Sequence, residues 1–292
     1  MKLSIIVLSF NTKNLTLKCL KSLVSQYKEY LESGDLEIIL ADNASKDGTA
    51  KEVLNMKNKV LSMKFIQNDK NYGFSKGNNI AAKEASGEHL LFLNTDTEIK
   101  DKGFLEMAKF LSDNKNVGIL GGRLLNSDGG VQKSAGNFYN LFNLFFVLIG
   151  GERVGMVRKA PKKIQAVDWV SGAALMIRAD LFRKLKGFDE KIFMYMEDVD
   201  LCFRAKEIGF KTYFYSNIKL VHKEHGSSNR TFAINQIYQG LLYFYKKHKP
   251  YWQYFVVKGL LIGKALIAVT IGSLMNNNYL KKTYGQALRL AV

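Results

Sequence analysis

Three acids fall within four positions at Glu197-Asp198-Val199-Asp200. Adjacent helical residues project about 100° apart, so Glu197 and Asp198 do not share one proton as a carboxylate dyad does. One of them can face a pocket while backbone or a basic group holds the other. A single poised carboxylate is a general base; an acidic first turn favoured by the helix dipole is the structural alternative. A second acid, Asp96 in Asn94-Thr95-Asp96, directly follows the apolar run His89-Leu90-Leu91-Phe92-Leu93. A carboxylate there can bind Mg²⁺ or Mn²⁺, which take oxygen ligands and commonly use one or two carboxylates plus phosphate oxygens. Two of the four histidines, His222 and His225, lie close together. Neutral imidazole ligates divalent metals, although a histidine near a strand end also serves as a hydrogen-bonded structural residue. Asp42 closes another apolar run and precedes Asn43, Ser45, Asp47 and Gly48. Such a carboxylate accepts from a ribose hydroxyl or a base N–H, or caps a helix, the role that suits Asp47.

The elements that must position these groups are legible from apolar periodicity. Residues 3–8 are a continuous apolar strand, and Leu17, Leu20, Leu23, Val24 and Tyr27 then recur at helical spacing. Further strands are expected at 36–41, 63–67 and 89–93, with a helix at 75–85. Alternation of this kind predicts an α/β fold with right-handed crossovers and a mostly parallel central sheet. Ligands of such sheets sit beyond the carboxyl ends of the strands, which gathers Asn11, Asp42, Asn94 and Asp96 on one rim. Residues 125–165 are less regular, with Gly129-Gly130, Gly136, Gly150-Gly151 and Pro161 around an apolar stretch at 141–149. Short strands are expected near 173–177 and 212–215. Leu201 and Phe203 suggest a helix that turns its apolar face inward.

The chain has 292 residues, 47% hydrophobic and 24% charged, an ordinary globular balance. Cys19 and Cys202 form no C-x-x-C pair and are expected to be reduced thiols. The first residues read as a buried strand, without the pattern of a signal peptide. A net charge of +17 favours anionic partners: nucleic acid, acidic lipid or phosphorylated small molecules. From about residue 237 the character changes. Tyr238, Leu241, Leu242, Tyr243 and Tyr245 lead into Lys246, Lys247, His248 and Lys249, then an aromatic and apolar stretch from Trp252 to Met275 interrupted by Lys258 and Lys264. The longest uncharged run of this region, Ala265 to Leu280, contains three asparagines and falls short of the ~20 mostly apolar residues of a spanning helix. It predicts a helix lying in a membrane interface, with packing on the main domain or on a second subunit, as in a homodimer, as the alternative. The expected division is therefore 1–236 for the main domain and 237–292 for a basic, aromatic helical region.

Taken together, the motifs occur in a familiar order: Ser4-Ile-Ile-Val-Leu-Ser-Phe-Asn11, Ala41-Asp-Asn-Ala-Ser-Lys-Asp-Gly-Thr49, Asn71-Tyr-Gly-Phe-Ser-Lys-Gly-Asn78 and Leu93-Asn-Thr-Asp-Thr97. Trp169-Val-Ser-Gly-Ala-Ala-Leu-Met-Ile-Arg178, Gly187-Phe-Asp189, Glu197-Asp-Val-Asp-Leu201 and His222 with Gly226 and Ser228 follow. From residue 3 to about 230 the chain resembles the family 2 glycosyltransferases of the GT-A fold, most closely their bacterial rhamnosyltransferase-like branch.

The resemblance implies roles. Asp42 would hold the nucleoside, with Ser9 and Asn11 lining the same pocket. Asn71, Gly73 and Asn78 would lie along the donor. Asp96 would bind a divalent metal in the position of the family's D-x-D motif, with His222 as a second ligand. Asp198 would deprotonate the acceptor hydroxyl with Glu197 beside it, while Trp169 and Gly172 would border the acceptor pocket. One departure is that Asn94 replaces the first acid of D-x-D and Thr95 stands in the middle, so the donor diphosphate must supply more of the coordination. The implied reaction is inverting transfer of a sugar from a nucleotide-diphosphate donor to a saccharide or lipid-linked saccharide, in the cytoplasm at the inner face of the cell membrane. A uridine-diphosphate hexose donor, or a catalytically silent sugar-nucleotide binder, are the alternatives within the fold. A nicotinamide-dependent oxidoreductase would need G-x-G-x-x-G after the first strand, where Ser9-Phe-Asn-Thr-Lys-Asn14 has no glycine. No nucleic-acid-binding module is recognisable, so no nucleic acid is expected as partner.

Overall fold

A computed structural model of the chain describes residues 2–58, 60, 62–148, 157–223 and 229–292. The expected motif members His225, Gly226 and Ser228, and the Gly150-Gly151 pair, lie outside the described residues. In chain order the elements are β1 (Leu3–Ser9), α1 (Lys13–Ser33), β2 (Leu36–Asp42), α2 (Thr49–Lys57), β3 (Met63–Gln67), α3 (Gly73–Lys83), β4 (His89–Asn94), β5 (Thr97–Ile99), α4 (Gly103–Asp113) and β6 (Val117–Leu125). There follow β7 (Ala135–Gly136), α5 (Leu141–Leu148), β8 (Arg158–Lys159), β9 (Gln165–Val167), β10 (Trp169–Val170), β11 (Ala174–Arg178), α6 (Ala179–Lys184), α7 (Glu197–Glu207) and β12 (Lys211–His222). Three helices complete the chain: α8 (Arg230–His248), α9 (Tyr251–Leu274) and α10 (Asn278–Ala291).

The main sheet runs β3-β2-β1-β4-β11-β6-β12-β5, with β9 added on β12. Its first four strands are parallel, as the alternation predicts. Both faces of β1, β2 and β4 are covered, which explains their largely apolar runs, while β3 lies at the sheet edge with Lys64 and Gln67 exposed. Leu3, Ile5, Val7, Ile38, Leu40, Leu91 and Leu93 belong to one core with Leu20, Leu23 and Phe104. Ile6, Ile39, Ala41, Leu90 and Phe92 belong to the opposite core with Phe182, Phe188, Leu201 and Phe244. The direction changes at β11, which pairs antiparallel with both β4 and β6. This inserted strand matters for function, because it carries residues 171–173 onto the same rim as the end of β4. β6 escapes apolar periodicity because glycines interrupt it: a Cβ at Gly121 would collide with the Val170 side chain, so the strand needs glycine for close approach.

The boundary expected at 236/237 falls inside α8. Tyr238, Leu241, Phe244 and Tyr245 of that helix are buried in the core that also holds Phe92 and Leu201. An ion cluster adds to this docking. Asp200, fully buried, is met by Arg204 Nε at 2.7 Å, Lys247 Nζ at 2.6 Å and His248 Nε2 at 2.7 Å. Burial pushes the Asp200 carboxyl up, but the bond from His248 and the charges of Arg204 and Lys247 outweigh it and hold it at about 2. Lys247 also reaches Asp189 at 2.7 Å. The acid-rich helix α7 is thereby fastened to α8.

Candidate active site

The parallel register places Ser9 beside Asp42, and Asp42 beside Gln67. Asp42 is fully buried and accepts from Ser9 Oγ at 2.6 Å, Ser45 N at 2.8 Å, Ser45 Oγ at 2.5 Å and Gln67 Nε2 at 2.8 Å. These four bonds use the usual acceptor capacity of a carboxylate. A nucleoside that reaches Asp42 therefore displaces one of them. Asn11, at φ 51°, accepts from Lys46 N at 2.8 Å and donates its own N–H to Ser45 Oγ at 2.7 Å, tying the loops after β1 and β2 together. An open cleft of about 310 Å³ lies beside it, lined by Asn11, Thr12, Lys13, Asn14, Leu15 and Asp47. Leu15 also borders a narrow pocket with Thr95, Asp96 and Val221. The first and fourth strands thus open onto adjoining clefts.

Asn43 organises the neighbouring stretch, a role that sequence reading did not assign. It donates to Asn71 Oδ1 and to the Gly73 carbonyl, both at 3.1 Å, and accepts from Asn68 Nδ2 at 2.8 Å. Gly73 sits at φ 75°, where a Cβ would lie 2.5 Å from the Phe193 carbonyl oxygen, so both conformation and space demand glycine. Asn78 is buried and donates to the Phe74 carbonyl at 3.0 Å, one helical turn back. In this arrangement Asn71 and Asn78 shape the start of α3.

Asp96 and His222, far apart in sequence, are brought together because β5 pairs antiparallel with β12, with His222 opposite Thr97. His222 Nε2 lies 3.2 Å from Asp96 Oδ1. Gln132 sets the ring. Its Nε2 donates to Asn126 Oδ1 and to the His222 carbonyl, both at 2.7 Å, so its Oε1 is the atom that meets His222 Nδ1 at 2.9 Å. Nδ1 then carries the hydrogen, and in the neutral ring the lone pair on Nε2 points at a carboxylate oxygen. Asp96 Oδ1 is buried and has no hydrogen-bond partner. An imidazole nitrogen and a buried carboxylate oxygen without a hydrogen-bond partner, 3.2 Å apart, are donors of the kind a divalent metal takes, so the residues fit one. Among the described residues no group of three or more His, Cys, Asp or Glu is placed to hold a metal ion. Asn94 donates its N–H to the Ala173 carbonyl at 3.1 Å, and its own carbonyl accepts from Thr97 Oγ1 at 2.7 Å.

Gln132 gave no sequence signal, lying in the irregular stretch. Gln132→Leu is expected to weaken Mn²⁺ binding about 10- to 100-fold, read by electron paramagnetic resonance titration. Asn126→Ala, which removes the other Gln132 contact, should leave it nearly unchanged; equal losses in both would assign Gln132 a scaffolding role.

Glu197 and Asp198 open α7 after two successive non-glycine residues in the left-handed region, Tyr195 at φ 66° and Met196 at φ 77°. Such strain persists where packing over-determines it. Here Gly240 of α8 supplies the packing, since a Cβ there would come within 2.9 Å of both Met196 Cβ and the Tyr195 carbonyl oxygen. Asp198 is partly exposed, and its carboxylate accepts from Gly172 N at 3.0 Å and Val199 N at 2.8 Å. Burial pushes its pKa up, against those backbone donors and the Arg158 charge. Through Gly172 and Ala173, which joins Asn94, Asp198 is connected to the rim that bears Asp96.

Glu197 is 5% exposed, with Oε2 lacking a partner. Burial and then the Asp198 charge push its pKa well up, so the folded state favours neutral Glu197. Its stabilising effect is complete below the ordinary glutamate value of about 4.3 and is lost as pH rises toward the elevated folded value. Each pH unit of that window costs up to about 1.4 kcal/mol. Glu197→Gln is therefore expected to leave Tm unchanged near pH 4 and to raise it by several degrees near pH 8. A pH-independent change in Tm would contradict the shift.

Trp169 requires a correction. It is buried, its Nε1 donates to the Asn137 carbonyl at 2.9 Å, and its ring lies where a Cβ on Gly136 would be, at 2.6 Å. The indole packs the β7–β10 pairing and does not offer a face to a sugar. Gly172 lies against Phe74, 3.2 Å from a notional Cβ, and its N–H is on Asp198.

A mixed sheet of this order, with its polar rim at the strand ends, defines a GT-A glycosyltransferase fold. Among solved structures, the chain is similar to the mannosyltransferase PcManGT from Pyrobaculum calidifontis in complex with GDP-Man and Mn²⁺. The TM-score is 0.59 at 16% identity, covering 99% of this chain and 85% of that one. The family model for glycosyl transferase family 2 matches residues 4–185, and the chain belongs to that family. Among curated relatives it is 25% identical over 170 residues to rhamnosyltransferase WbbL of Escherichia coli strain K12, covering 55% of this chain and 64% of WbbL. It is 24% identical over 214 residues to the N-acetylglucosaminyl-diphospho-decaprenol L-rhamnosyltransferase of Mycobacterium tuberculosis, covering 67% and 69%. The chain thus spans less than two thirds of the length of WbbL.

Proposed function

We propose that this chain is an inverting glycosyltransferase of cell-surface polysaccharide synthesis. It takes a sugar, with rhamnose the first candidate, from a nucleotide-diphosphate donor to a saccharide or lipid-linked saccharide, in the cytoplasm at the inner face of the membrane. The observation that carries this reading is the Asp198 carboxylate, held by the Gly172 N–H beside the strand ends that bear the Asp96–His222 pair. The rhamnosyltransferase relatives support the choice of sugar class and of a lipid-linked acceptor.

Asp198 takes the proton from the acceptor hydroxyl as that oxygen attacks the anomeric carbon from the face opposite the diphosphate. Its raised pKa suits a base that works near neutrality. The backbone N–H groups of Gly172 and Val199 fix its direction, and neutral Glu197 spares it a second adjacent negative charge. Mn²⁺ or Mg²⁺ held by Asp96 and His222 would offset charge on the departing diphosphate. The reaction is a single displacement without a covalent intermediate, so the anomeric configuration inverts.

The test is a thermal-shift panel of uridine, thymidine and guanosine diphosphate sugars, each with and without Mn²⁺, followed by NMR of the product. The reading expects one nucleotide class to stabilise the fold more strongly with metal, and an inverted anomeric centre. A retained centre would refute the displacement, and a uridine-diphosphate hexose as the sole stabiliser would replace rhamnose. Binding without turnover would mark a silent sugar-nucleotide binder.

A further inference from the structure

Helix α9 has one inward stripe, Val257, Leu261, Ala265 and Gly272, which packs against α8 and α10. The opposite face stands in the open. Tyr251, Trp252 (59% exposed), Phe255, Val256, Leu266, Ile267 (63%), Ile271 and Leu274 (83%) project from it along roughly 36 Å of helix. Lys258 and Lys264 fall on the two edges of the inward stripe, so helical spacing keeps charge off the outward arc. Phe142 and Phe145 of α5, also exposed, extend the surface beside α9. An apolar surface this continuous marks an interaction site.

Charge identifies the occupant. Residues 229–292 contain nine Lys or Arg and no Asp or Glu. The basic cluster at the start of α9 is not what faces outward. Lys247 is spent on Asp189 and Asp200, and Lys249 lies over the Phe203 and Phe244 rings at 4.8 and 5.8 Å. Exposed Lys246, Lys282 and Arg289 remain for an outside partner. An apolar face on an acid-free, basic helical region, with Tyr251 and Trp252 at one end, matches an anionic lipid interface. A second copy of this chain would instead bring two acid-free cationic surfaces together. By length and composition α9 can cross a membrane, longer than the uncharged run in the sequence suggests. Crossing, however, would carry Lys258 and Lys264 into hydrocarbon together with α8 and α10, and α8 is fastened to α7 through Asp200.

We propose that the outward face of α9, with Phe142 and Phe145, docks in the plane of an anionic membrane and holds the rim bearing Asp198 at a fixed height above it. This deepens, and for its use rests on, the reading of a lipid-linked acceptor.

The test uses the full chain and its Phe255→Glu/Leu266→Glu/Ile267→Glu variant, with vesicles of equal phosphatidylglycerol and phosphatidylcholine and with phosphatidylcholine alone. Wild type should co-sediment with the anionic vesicles. The variant should lose at least about tenfold in partitioning, with an unchanged circular-dichroism melt and turnover on a water-soluble acceptor within about twofold. Equal partitioning of the two proteins overturns the proposal. So does a wild-type dimer that the substitutions make monomeric, which would mean a self-interface. Resistance of membrane-bound wild type to alkaline carbonate extraction would mean a spanning helix and overturns it too. Selective loss of vesicle binding in a chain that transfers no sugar to any acceptor would leave the docking surface standing and refute the enzymatic reading.

Discussion

Asp198→Asn is expected to lower kcat by about 10² to 10⁴, the usual contribution of general-base catalysis. The substitution conserves shape and leaves an oxygen that still accepts from Gly172 N or Val199 N, so the start of α7 should keep its geometry. What disappears is the ability to take a proton. Binding of donor with metal should therefore change less than about threefold, because a group that acts only in the transition state contributes little to the ground state. The pH profile separates this from a folding defect. The wild-type rate should fall on the acid side with a midpoint above the ordinary Asp range, because burial raises the Asp198 pKa, and the residual activity of the variant should lose that limb. Full turnover in Asp198→Asn would move the base elsewhere, with Glu197 the next carboxylate to test.

Asp96→Ala is expected to reduce turnover by about 10² to 10³, the scale of removing one preorganised electrostatic contact to developing charge. Here the loss should appear first in binding. With Asp96 gone, His222 keeps its Gln132 contact but loses the carboxylate 3.2 Å away, so Mn²⁺ no longer adds to donor-induced thermal stabilisation. His222→Ala should give a smaller change of the same kind, since the carboxylate carries the charge. The two effects should combine less than additively, because both residues act on one cation. Donor affinity that responds equally to Mn²⁺ in wild type and Asp96→Ala would remove Asp96 from the metal site.

The two variants fail differently because their side chains reach the site by different routes. Asp96 sits where a central parallel strand ends, a place that apolar periodicity alone marks. Asp198 sits on a helix more than a hundred residues later, turned toward that rim by two left-handed residues and by the Gly240 backbone behind them. Truncation within α8 would on this view disturb catalysis directly, because residues 238–248 share the core and ion cluster of α7.

What the amino-acid order determines by itself is local. Runs such as Ile5-Ile6-Val7, Ile38-Ile39-Leu40 and Leu90-Leu91-Phe92 read as strands covered on both faces, with polar Ser9, Asp42 and Asn94 at their carboxyl ends. Motif order also announces the family. Tertiary structure decided the pairings. Antiparallel insertion of β11 beside β4 brings Gly172 and Ala173 to the rim, and the β5–β12 register puts His222 against Asp96. It also decided which polar groups are already satisfied. Four protein donors occupy Asp42, while Asp96 Oδ1 and Glu197 Oε2 are left without partners. It placed Trp169 in packing and Gln132, 90 residues from His222, as the group that orients its ring. Strand propensity depends on a few neighbouring residues, whereas hydrogen-bond saturation and burial depend on segments that meet only when the chain has folded.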